Sequence, residues 1–75
     1  MVRTMKVSQL LHTIDRDDCV AIDDKNAPID RNRIYDGTVR GIRKDDPINK
    51  MHVLCVFAAD DKIHILTEAV YVKKN

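Results

Sequence analysis

Tryptophan is absent from this 75-residue chain, phenylalanine and glutamate occur once each, and glycine, proline and cysteine occur twice each. Each scarcity removes a class of function. With Phe57 as the one phenylalanine, the chain lacks the aromatic platform on which binders of single-stranded nucleic acid stack their bases. Gly37 and Gly41 fit neither a phosphate-cradling P-loop nor a dinucleotide fingerprint. Cys19, Cys55 and the scattered His12, His52 and His64 give no recognised zinc spacing. The acidic residues from Asp15 to Asp24 lack the glycine and the closing glutamate of a calcium loop, whose places hold Val20 and Asn26. The longest apolar run, Val53 to Ala59, is far shorter than the roughly 20 residues that span a bilayer. Met1 to Leu11 has no export-type apolar region, so a cytoplasmic protein with reduced, buried thiols and no membrane partner is expected.

What remains describes a single small domain over residues 1–75, 44% hydrophobic and 33% charged. A chain of this size buries only about 60 to 65% of its unfolded surface. An enclosed substrate pocket of about 300 to 1,000 Å³ would be a large void in such a core. No catalytic constellation and no cofactor are therefore expected. Eleven of the twelve acids are aspartate, which favours turns over helix interiors. The Asp-Asp pairs at 17–18, 23–24, 45–46 and 60–61 fall where apolar runs stop and read as joints.

Ser8 stands before Leu10, Leu11 and Ile14, which share a helical face, so a short first helix capped by Ser8 is expected. Cys19 to Asp23 reads as a strand, followed by a long connection around Pro28. Two arrangements then compete. Either this strand pairs antiparallel with residues 33–40, bulged at Gly37, or Asp36-Gly37 makes a tight turn within a local hairpin. The second sets Arg33 against Arg40, so the first is preferred. Asp46 before Pro47 predicts a capped single turn. Met51 to Ala59 is apolar at consecutive positions and reads as a central strand covered on both faces. Asp60-Asp61 turns it back into Lys62 to Leu66, and Glu68 to Val72 extends that strand or adds an edge strand, with a solvated end from Lys73.

The expectation is an α+β fold, a short N-terminal helix packed on a small twisted antiparallel sheet of about four strands, with an SH3-like small β-barrel as the alternative. A helix covers only one sheet face, so a homodimer is expected to cover the apolar central strand.

The words Lys6-Val7-Ser8-Gln9-Leu10-Leu11, Ile14-Asp15, Ile34-Tyr35-Asp36-Gly37-Thr38-Val39 and Ala59-Asp60-Asp61-Lys62-Ile63-His64-Ile65 resemble short uncharacterised proteins of phages, prophages and mobile elements of low-GC Gram-positive bacteria. The resemblance runs from Met5 to Leu66 and departs at Asn26 to Arg33, a segment rich in proline and arginine. It implies no catalytic residues. It implies a setting in which small proteins bind host proteins, among them anti-CRISPR and other counter-defence inhibitors.

The net charge of +1 argues against a generally basic coat. One window departs from that balance. From Arg31 to Lys44 the chain carries Arg31, Arg33, Arg40, Arg43 and Lys44 against Asp36 alone, an excess of +4 where the remainder has −3. With Tyr35 as a ring face, these residues are the candidate partner-binding site. A host or phage protein of acidic character is the expected partner, nucleic acid is the alternative, and a structural accessory subunit with solvated arginines is the third reading.

Overall fold

The sharpest joint in the chain is Asp60-Asp61, where φ is 54° and 60° in succession. Positive φ at both central residues is what a type I′ turn requires, and Asp tolerates it better than most residues. The computed structural model describes residues 5–68, and in it this turn joins β4 (His52–Ala59) to β5 (Lys62–Glu68) as an antiparallel hairpin. The register slips once, between Val53 and Cys55, leaving Leu54 as the extra residue. The other strands are β1 (Met5–Lys6), β2 (Cys19–Asp24) and β3 (Arg33–Thr38). Any extension of β5 beyond Glu68, and the solvated end from Lys73, lie outside the described residues.

Antiparallel pairing of β2 with β3 follows the preferred arrangement, with Gly37 opposite Val20 inside the ladder. The bulge falls earlier than expected. Ile22 faces Tyr35 and Asp23 faces Arg33, so Ile34 rather than Gly37 is the unpaired residue. The two hairpins meet through β2 and β5, which run parallel from Val20↔Ile63 to Asp24↔Thr67. The result corrects the expected four-stranded antiparallel sheet: five strands form a mixed sheet in the order β1-β4-β5-β2-β3. Apolar alternation marks a strand without marking its neighbour's direction. Among the described residues no pairing of β1 with β3 closes this sheet into an SH3-like barrel. The coarse α+β class stands, with one short helix and one sheet.

Helix α1 (Val7–Leu11) begins earlier than Ser8 would have it. Lys6 and Met5 are held against His52 and Val53, and the Val7 N–H donates to the Met51 carbonyl at 2.9 Å. The chain thus leaves β1 directly into the helix. Gln9 supplies the cap, its Oε1 accepting from the Lys6 N–H at 2.9 Å. The Asp46 carboxylate accepts from the Ile48 N–H at 2.9 Å and caps the 3-10 turn Pro47–Lys50, as the Asp-Pro pair predicts.

All of this cover lies on one side. Val7 and Leu11 of α1, Val20 and Ile22 of β2, Ile65 of β5, and Val39 and Ile48 from the turns form the buried core. The register sets the opposite face in rows, one of them Asp36, Ala21, His64 and Phe57, the next Arg33, Asp23, Leu66 and Cys55. Both cysteines are exposed, contrary to the expected core thiols: they stand in the strands on the face that the helix does not cover. β4 is corrected for another reason: Leu54, Val56 and Phe57 are 40%, 44% and 51% exposed, on both faces of the strand, because past Val53 its outer edge has no neighbour among the described residues.

Ile22 has no exposed surface and Ile29 is 91% exposed, which gives a direct comparison. Ile22→Ala is expected to lower the unfolding free energy by about 2 to 5 kcal/mol. Ile29→Ala should stay within about 0.5 kcal/mol of the parent. Urea titration followed by circular dichroism measures both.

Candidate functional site

The arginines stand on elements that the two loops and β3 present. Arg31 closes the 3-10 turn Ile29–Arg31, with Nε 3.9 Å from the Asp30 carboxylate and both side chains largely exposed. Arg33 opens β3 opposite Asp23, binds its carboxylate through Nε, and reaches Asp36 Oδ2 through Nη1 at 3.3 Å. Arg40 places Nε and Nη2 at 3.1 and 2.9 Å from one oxygen of Asp17. Its backbone N–H donates to the Arg16 carbonyl at 2.8 Å, pinning the 3-10 turn Val39–Gly41 to the Asp15–Asp18 loop. Arg43 lies 3.4 Å from Asp45, and it and Lys44 are exposed.

The window that is so basic in sequence is therefore supplied with acid by the fold. Asp17 and Asp23 come from the segment around β2, Asp30 and Asp45 from positions just outside the window. A count along the chain could not see the first two, since a strand's neighbours are set by pairing rather than by sequence distance.

Four charges alternate over the open face. Lys62 reaches past β2 to hold both Asp36 oxygens, at 2.9 and 3.1 Å, and Asp36 also meets Arg33. Ala21, between Asp36 and His64, has only a methyl group to obstruct that reach. The hydrogen bond from Lys62 holds the Asp36 carboxyl below the usual carboxylate range, with help from the charges of Lys62 and Arg33 and against partial desolvation. The Arg33 guanidinium is pushed above its ordinary value, mainly by the hydrogen bond to Asp23.

Tyr35 differs from the role its ring was expected to play. It is half-buried, on the same face as Ile22, and packs against the core cluster. Its Oη donates to the Thr38 carbonyl at 2.5 Å. A Cβ on Gly41 would lie 2.3 Å from that oxygen, and one on Gly37 3.0 Å. These glycines make room for the tyrosine, and neither has positive φ. The ring serves the structure at this corner of the sheet, half-buried with its hydroxyl tied to the backbone.

Beside the arginine loops lies a feature that sequence reasoning missed. An open cleft of about 580 Å³ has Ile34, Pro47, Ile48 and Met51 as its apolar lining and Asp24, Asp46 and Lys50 as its polar lining. The bulge at Ile34 and the capped turn at Asp46-Pro47 build it; Arg31 and Arg33 come before Ile34, and Arg43 and Lys44 come before the Asp45-Asp46 pair. The signal available in sequence was the cap; the bulge position carried none.

His64 stacks on Phe57 with ring centroids 5.0 Å apart and planes 6° from parallel, and its Nε2 is buried without a hydrogen-bond partner among the described residues. Cys55 faces Leu66 and Cys19 faces Thr38 across their ladders. Among the described residues no three His, Cys, Asp or Glu side chains gather as metal ligands, and no helix is long and apolar enough to cross a membrane. No protein-family model, curated protein or solved structure matches the chain.

Gly41→Ala is expected to destabilise the fold by about 1 to 3 kcal/mol through overpacking against Tyr35 Oη. Tyr35→Phe in the same chain should recover part of that loss, a coupling that a double-mutant cycle in urea measures directly.

Acid should act on Asp36 in a defined direction. Its folded pKa lies below the unfolded value of about 3.9, so its stabilisation is present above that pH and is lost as pH falls through the folded value. The urea midpoint is expected to fall as pH drops below about 4. Lys62→Met should make that fall shallower than in the parent.

Proposed function

We propose that this chain is a non-enzymatic protein-binding module that takes an acidic, apolar-anchored segment of a partner protein. The observation that carries the reading is the cleft lined by Ile34, Pro47, Ile48 and Met51, whose lining follows two arginine-bearing stretches in the chain. An apolar floor with a charged rim is the anatomy of a protein contact, where burial supplies affinity and charge selects the partner. Arg31 and Arg43, each beside an aspartate at the surface, and the exposed Lys44 belong to the chain stretches that lead into the cleft, whose own charged lining is Asp24, Asp46 and Lys50. Arg33 and Arg40 contribute through their aspartates' hold on the strand and loop. Tyr35 shapes the support beneath them.

The setting implied by the resemblance belongs to the same proposal: a cytoplasmic accessory protein of a phage or mobile element that inhibits a host system, of the anti-CRISPR or another counter-defence type. Nucleic acid is the less favoured ligand, because aspartates already meet four of the arginines that would neutralise phosphates.

Tagged protein recovered from a nuclease-treated bacterial lysate is expected to retain a discrete protein, identified by mass spectrometry. Arg31→Glu with Arg43→Glu should release it, and so should Ile34→Asp. A partner held equally by both variants would move the contact elsewhere. Retained nucleic acid that disappears on digestion, with binding that weakens steeply with salt, would replace this reading by phosphate binding.

A further inference from the structure

The residue pattern of β4 and its place in the sheet disagree. Leu54 to Ala59 carries no charge, no proline and no lysine, the composition of a strand with neighbours on both sides. On one side β5 pairs along its whole length. On the other, among the described residues, β1 pairs only with His52 and Val53. Past that point Val56 is exposed on the helix-covered side and Phe57 on the open side, so both faces of this edge lack a neighbour. The sheet's other edge differs. β3 carries Arg33 and Asp36, charges that discourage strand addition.

We propose that this edge is a self-association site, at which β4 of one copy pairs antiparallel with β4 of a second copy about a two-fold axis at Phe57. The register follows from three constraints. Opposed residues in an antiparallel pair share a face, so the axis must pass through a residue and not between two. An axis at Val56 would bring Ala59 and Asp60 opposite Val53 and His52, where β1 already stands. An axis at Phe57 sets Phe57 against Phe57, Val56 against Ala58 and Cys55 against Ala59, filling the open edge and displacing nothing described.

The pairing is self-complementary in shape and charge. Large side chains oppose small ones on either side of the axis, and the two phenylalanines meet on the open face. The acidic turn Asp60-Asp61 of each copy comes up to Met5 at the near end of the other's β1, one residue short of the exposed Lys6. The product is one continuous sheet of ten strands whose outer edges are the two charged β3 strands, so association stops at two. This site is independent of the cleft and its rim.

The test uses the full chain, in size-exclusion chromatography with light scattering over a range of concentrations. The expected mass is twice the 8.6 kDa of one chain. Phe57→Lys and Val56→Lys should each give the single-chain mass with an unchanged circular dichroism spectrum. Phe57→Cys, mildly oxidised, should form a disulfide between the two residues 57, since directly opposed Cα atoms lie about 4.5 to 5.5 Å apart, within disulfide reach. A single-chain mass for the parent overturns the proposal. So does a dimer that survives Phe57→Lys, a link through Cys55 or Cys19 in place of residue 57, or dimerisation only of a chain shortened to begin at Met5.

Discussion

Everything in this molecule hangs on the parallel pairing of β2 with β5. Each of the two hairpin-like units, β2 with β3 and β4 with β5, has a half-sheet's worth of apolar side chains and no core of its own. Their union makes β2 and β5 the two central strands, and only there do side chains vanish from solvent on the covered face: Val20, Ile22, Ile65 and Thr67. The Thr67 hydroxyl seals the seam by donating to the Asp23 carbonyl at 2.6 Å. A buried threonine is tolerable because that bond replaces the water it gave up. The helix, the cleft and the arginine loops are all placed relative to this seam.

Local chemistry was readable in the sequence wherever one or two residues decide the backbone. Asp60-Asp61 as a turn, Asp46-Pro47 as a cap, and the β2–β3 pairing followed from such rules. Ser8 as a helix cap followed from a rule as well, and lost to a competing constraint, the docking of Met5 and Lys6 on β4. The direction of β5 relative to β2 and the exposure of Cys19 and Cys55 depend on which strands become neighbours and which face the helix covers. No local word encodes either.

The candidate site repeats that division. The excess of arginine between Arg31 and Arg43 is a property of the chain, whereas the aspartates that come to meet Arg33 and Arg40 are a property of the fold. Asp17, Asp23, Asp30 and Asp45 turn a basic segment into a set of positioned forks. Exposed pairs of this kind contribute little to stability, on the order of 0 to 1 kcal/mol each. Their effect is on geometry: Arg33 and Arg40 fix where β3 and the Val39–Gly41 turn sit, and thereby shape the cleft beside them.

The seam between β2 and β5 also has a kinetic side. Asp23 and Thr67, which it brings into contact, are 44 residues apart in the chain. Contacts of such separation form only after a large loop has been closed, an entropic step that no local hydrogen bond offsets, and folds dominated by them assemble slowly. The β4–β5 hairpin needs no such closure. Until the seam closes its uncharged strand stands in water, and that interval, on synthesis or on refolding, is when this chain is most open to pairing with the wrong strand.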